Sequence, residues 1–174
     1  MNLIKANYHA ISMFGNEYDF KEKLKIEGEN IYNVIDTRDR DGKSLLETAI
    51  AYHNFPLAKF FLGEGAKVNI ITEEGRNEFH YIATYLHFCE ALEIAKILLD
   101  RKTDLSLQDK KYGNTAMLTL CIEAFKKRTP EVDSFLCECL SKYKGINEEN
   151  KNGYNVRKII EEKGSEAMKK ILKI

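Results

Sequence analysis

Asp39 to Ile71 read "DRDGKSLLETAIAYHNFPLAKFFLGEGAKVNII", and this stretch decides the fold. Ser44 stands where it can cap the short amphipathic helix pattern LLETAIAY. A second apolar helix pattern, LAKFFL, begins at Leu57. Gly65 then suits a left-handed helix end, which glycine reaches at least cost. The alternation in Lys67-Val68-Asn69-Ile70 predicts a short extended segment. The unit is therefore helix, turn, helix and a hairpin-like finger.

The same order recurs along the chain. Asp41-Gly42-Lys43-Ser44, Glu74-Gly75-Arg76-Asn77, Tyr112-Gly113-Asn114-Thr115 and Asn152-Gly153-Tyr154-Asn155 place their glycines 33, 38 and 40 residues apart. Each glycine precedes a short amphipathic pattern: EFHYIATY from Glu78, AMLTLCIE from Ala116 and VRKIIEEK from Val156 repeat what LLETAIAY begins. Second helices follow as EIAKILL from Glu93, SFLCECL from Ser134 and AMKKIL from Ala167. A fixed period of this length signals stacked repeats, because one such unit cannot bury its apolar face alone.

On these residues the chain resembles the ankyrin repeat, a 33-residue unit opening on T-P-L-H-x-A. Asp39 to Ile71 carries Gly42, Ser44, Leu46, Ala49, Phe61-Leu62, Gly65-Ala66 and Val68-Asn69 without a gap. The next unit keeps Gly75, Phe79, His80, Ala83 and Leu98-Leu99, with Asn77-Glu78 replacing threonine and proline. Gly113, Thr115, Met117 and Asn147 mark the third; Gly153, Gly164 and Ile171-Leu172 mark the last. The resemblance implies an all-α ankyrin-repeat solenoid with short hairpin loops, of about four to five helix-turn-helix repeats including degenerate caps. Residues 1–174 form one domain: a degenerate N-terminal cap at 1–38, central repeats at 39–71, 72–108 and 109–149, and a C-terminal cap at 150–174 rich in lysine and glutamate. The longer spacings place extra residues between the paired helices, at about 86–92 and 124–133. These are either part of a recognition face or neutral decoration.

With 174 residues, 44% of them apolar and 31% charged, the chain can bury a single core. Its 27 basic residues balance 27 acidic ones, so it lacks the basic footprint of a nucleic-acid binder. Neither a secretion-type leader nor an apolar run long enough to span a membrane is visible. The expected compartment is the cytoplasm. Cys89, Cys121, Cys137 and Cys139 lie in helical, apolar contexts and are expected to be buried and reduced.

No pattern points to catalysis. His9, His53 and His87 have no neighbouring nucleophile or acid of the kind a triad needs. His80 occupies the family's histidine position, where the resemblance implies a structural hydrogen bond between adjacent fingers. Cys137-x-Cys139 on a helix places its thiols about 200° apart, so they diverge rather than share a metal. Adjacent acids at Glu73-Glu74 and Glu161-Glu162 read as solvated charge, and Gly63-x-Gly65 lacks the rest of a phosphate loop. The expectation is a non-enzyme with no cofactor and no metal.

What the resemblance leaves is a surface. Ankyrin arrays bind proteins through finger tips and the exposed side of their first helices. Carried over, those positions are Arg40, Asp41, Lys43, Ala51, Tyr52 and Glu64 in the first central repeat, and Glu73, Glu74, Arg76, Thr84 and Tyr85 in the second. In the third they are Lys110, Lys111, Tyr112, Asn114, Ile122 and Glu123. Tyrosine and arginine are the residue types that most often anchor interfaces. The expected partner is a protein and the free chain is expected to be a monomer. Its size and its Lys/Ile/Asn/Glu-rich wording resemble short bacterial ankyrin proteins that neutralise a cognate toxin as immunity proteins. The alternative is a general adaptor for a cellular or host protein.

Overall fold

The computed structural model describes residues 1–174 and is all-helical, with eleven α-helices and no strand. They are α1 (Tyr8–Phe14), α2 (Glu17–Glu27), α3 (Ile31–Val34), α4 (Leu45–Ala51), α5 (Phe55–Gly63), α6 (Glu78–Ile82), α7 (Cys89–Asp100), α8 (Ala116–Ala124), α9 (Pro130–Lys142), α10 (Val156–Lys163) and α11 (Glu166–Leu172). A 3₁₀ turn over Ala83–Tyr85 extends α6.

The short helices start where a side chain can satisfy the free N–H groups of a first turn. Ser44 accepts from the Glu47 N–H at 3.1 Å, while Glu47 accepts from the Ser44 N–H at 2.9 Å. Thr115 and Asn155 hold the starts of α8 and α10 through Leu118 and Lys158 at 3.1 and 3.0 Å. Helices of seven to nine residues are too short to persist alone. Tertiary packing must therefore stabilise them.

That packing follows two rows. In the inner row α1 packs on α4, α4 on α6, α6 on α8 and α8 on α10. In the outer row α2 packs on α5, α5 on α7, α7 on α9 and α9 on α11. One apolar cluster of 42 buried residues runs through both rows. Leu46, Phe61, Phe79 and Phe135 are almost wholly excluded from water, and each such side chain contributes roughly 1.5–3 kcal/mol of transfer free energy.

Between each outer helix and the next inner helix the chain turns out into a finger. The fingers are hairpin-like only locally, with isolated antiparallel bridges at Arg38–Ser44 and Gln108–Thr115. The expected extended segment at residues 67–70 is not formed. Asn69 lies in the left-handed region at φ 62°, held by its amide, which accepts from the Asp104 N–H at 2.6 Å and donates to the Lys102 carbonyl at 3.3 Å. The side chain thus joins one finger root to the next, and that tertiary link overrides the local alternation.

The extra residues of the longer units lengthen the outer row. α7 has 12 residues and α9 has 13, against nine in α5. Pro130 at the first turn and Thr129 as cap start α9 four residues before the expected Ser134. The cysteines divide: Cys121 and Cys139 are buried, Cys137 is half-buried and Cys89 is exposed, all as free thiols. Burial of Cys89 is thus corrected, because it opens α7 on the solvent side of that helix. No helix is long and apolar enough to cross a membrane.

Candidate protein-binding face

The inner row and the fingers enclose one continuous side of the molecule, and most of the surface residues read from the sequence gather there in two recesses. The first, of 560 Å³, lies between α1, the first finger and α4, and includes Arg40, Asp41, Lys43 and Tyr52 in its walls. The second, of 210 Å³, lies between α6, α8 and the third finger, and includes Arg76, Thr84, Tyr112, Asn114 and Glu123. Residues up to 83 positions apart in sequence are thereby placed on two neighbouring concavities of one face.

The geometry of the first recess starts at the finger turn. Asp39 accepts the backbone N–H groups of Asp41 and Lys43 at 2.9 Å each, which fixes the turn and presents Arg40 outward with a side chain 94% exposed. Tyr52 ends α4 half-exposed, its ring edge-on to that of Phe14 at 5.7 Å. His9 forms the floor, with Nδ1 3.0 Å from the Thr48 hydroxyl. That hydroxyl donates to the Ser44 carbonyl at 2.8 Å, so it accepts from His9, and Nδ1 carries the proton. Burial holds the His9 pKa below its ordinary value.

The second recess is built the same way one finger pair later. Asp109 accepts from the Tyr112 and Asn114 N–H groups at 2.7 and 3.1 Å, and Tyr112 stands half-exposed with the Lys111 ammonium 4.8 Å above its ring. His80 lies beneath. Its Nε2 donates to the Asn114 carbonyl of the following finger at 3.3 Å, and Nδ1 accepts from the Asn77 backbone N–H at 3.3 Å. Burial pushes the His80 pKa down, so the ring is a neutral bridge between units. Glu73, Glu74, Lys110 and Lys111 are exposed on the finger tips between and beside the recesses.

Two of the expected residues stand elsewhere. Glu64 lies at the end of α5 and lines a recess with Lys21, Tyr32 and Phe60 between α2, α3 and α5, in the outer row. Tyr85 turns towards the junction of α4 and α5, its ring 3.8 Å from that of His53 and 5.9 Å from that of Phe55. Its hydroxyl reaches the Ala51 carbonyl at 3.5 Å. Tyr85 ends a 3₁₀ turn, in which the step between residues is about 120° rather than about 100°, and its ring packs back on the preceding unit. Ala51 and Ile122 are half-buried.

Met13, Arg38 and His9 belong to the first recess and escaped the sequence reading. His9 and Met13 sit in the N-terminal unit, which has no repeat motif to align. The only local signal near them is Asn7, which accepts from the Ala10 N–H at 2.7 Å and caps α1. No three or more His, Cys, Asp or Glu side chains converge as a metal site would require. No family model matches the chain, and no curated protein matches it.

Proposed function

We propose that the chain is an ankyrin-repeat protein that binds one protein partner on its inner face and blocks it, acting as a bacterial immunity protein against a cognate toxin. The observation that carries the binding face is the convergence of Arg40, Lys43 and Tyr52 on one recess and of Arg76, Tyr112, Asn114 and Glu123 on its neighbour. Recurrence of helix, turn, helix and finger, with glycines at positive φ at residues 42, 75, 113 and 153, supports the repeat family.

Blocking suits the physics of this surface. The face is preformed by backbone turns and a continuous core, so little conformational entropy is lost on binding. Tyr52 and Tyr112 supply half-exposed aromatic area with few rotatable bonds, and Arg40 supplies a guanidinium that projects almost fully into solvent. The test is co-expression with the protein encoded next to it. Protection of the host by the wild-type chain, lost in an Arg40→Ala/Tyr52→Ala/Tyr112→Ala variant that still folds, is the expected outcome. A stable complex with an unrelated cellular protein, and no protection, would instead mark a general adaptor.

A further inference from the structure

Building on the inner-face reading, we propose that the recess between α1, the first finger and α4 seats an acidic side chain of the protein partner, an aspartate or glutamate flanked by an apolar residue.

The rim of this recess is cationic. Arg38, Arg40 and Lys43 stand around it, and the two carboxylates beside them are already engaged. Asp39 is turned into the finger by the N–H groups of Asp41 and Lys43. Asp41 faces Arg40 at 3.7 Å and Lys43 at 3.5 Å. Arg38 forms no ion pair with any carboxylate of the chain. Exposed pairs such as Arg40–Asp41 are worth at most about 1 kcal/mol, so an incoming carboxylate can recruit Arg40 at little cost. Two guanidinium forks can then meet the incoming acid while the Lys43 ammonium stays beside Asp41, and a guanidinium suits planar, two-point recognition of a carboxylate.

The opposite wall is apolar. Ala10, Met13 and Tyr52 form it, and the Phe14 ring meets that of Tyr52 edge-on at 5.7 Å. A bare inorganic anion would leave this wall wet. A peptide segment would cover it with the side chain next to its acid. The volume of 560 Å³ accommodates both groups. Charge complementarity and the apolar wall therefore select the same occupant.

The test uses a phage-displayed library of random peptides selected on the full chain, and in parallel on an Arg38→Glu/Arg40→Glu variant checked for an unchanged thermal midpoint. Arg38→Gln/Arg40→Gln substitutes if the reversal unfolds. The wild-type chain is expected to enrich peptides with an acid beside an aliphatic or aromatic residue. A synthetic peptide from that set should lose about tenfold or more in affinity on the variant. Changing its acid to the amide should cost the same, and the two losses should not add, because they remove one interaction. Absence of enrichment, absence of an acid among the enriched peptides, or equal binding to the variant overturns the proposal. Among those outcomes, peptides that ignore charge reversal but lose affinity on Tyr52→Ala or Tyr112→Ala leave the inner-face reading standing. Peptides insensitive to all of these substitutions remove both.

Discussion

The backbone N–H of Glu73 donates to the carbonyl of Asp41 at 2.9 Å, joining the tips of two fingers that lie 32 residues apart in sequence. The link recurs from Lys110 to Glu74 at 2.8 Å and from Lys151 to Tyr112 at 2.9 Å. Each finger is thus hydrogen-bonded to the next along the whole row, and the face they present is a single hydrogen-bonded surface.

These links require close backbone approach, which gives the first prediction. Gly75 has φ +73°, and a Cβ there would lie 3.0 Å from the Gln108 carbonyl oxygen. Gly65 has φ +87° but open space around it. Gly75→Ala should therefore cost about 2–3 kcal/mol, from backbone strain and collision together, whereas Gly65→Ala should cost about 1 kcal/mol from strain alone. Urea denaturation of the two variants measures the difference.

Tyr85 and Tyr52 should separate by experiment although both end an inner helix. Tyr85→Ala removes a ring packed among His53 and Phe55 and should destabilise the fold by about 2 kcal/mol. Tyr52 is 49% exposed, so Tyr52→Ala should leave stability within about 0.5 kcal/mol. Equal denaturation midpoints for the two variants would contradict the placement of Tyr85.

A further prediction concerns pH. Glu47, which closes the α4 cap, and Glu78, which accepts from the Asn69 N–H at 3.1 Å, are fully buried, each with one carboxylate oxygen that has no hydrogen-bond partner. Burial pushes their pKa values up to about 8 and about 7, against 4.5 when unfolded. The native state then binds more protons than the unfolded state, so stability falls as pH rises. This contribution should be complete below about pH 4.5 and fade up to about pH 8. Glu47→Gln/Glu78→Gln should flatten the decline between those limits in a series of thermal melts. A slope identical to wild type would show that these carboxylates are ionised in the native state.

The two lengthened turns meet each other. Lys127 donates to His87 Nε2 at 3.3 Å, while Arg128 holds Asp133 at 2.7 Å and the Lys163 carbonyl at 2.7 Å. Partial desolvation and the neighbouring Lys127 charge both lower the His87 pKa. Lys127→Ala should raise it towards the ordinary histidine value, as read from the imidazole proton shifts in an NMR titration. No change would separate the two turns.

The first helices of the four aligned units, α4, α6, α8 and α10, are legible because each follows a Ser, Asn or Thr and carries a 3.6-residue apolar pattern, both local properties of the chain. By contrast, α7 follows Phe88 with no side-chain cap, and α1 to α3 match no repeat motif. Arg40, Lys43, Tyr52, Arg76 and Tyr112 could be placed together because the repeat spacing brings equivalent positions to one side. Asn69 was misread because its backbone is set by a partner 35 residues away, which alternation in four residues cannot report. Tyr85 escaped for a similar reason. A 3₁₀ turn changes the angular step between residues, and nothing in "IATY" announces it. Met13 and Arg38 required knowing that α1 packs on α4, a tertiary fact with no motif behind it.

Affinity for the captured protein partner, measured by titration calorimetry on the Arg40→Ala/Tyr52→Ala/Tyr112→Ala variant, tests the central claim most directly. Loss of at least ~2 kcal/mol of binding with an intact thermal transition is the predicted result. Unchanged affinity in that variant, with binding abolished instead by substitutions at 86–92 or 124–133, would place the interface on the turns and contradict the inner-face account.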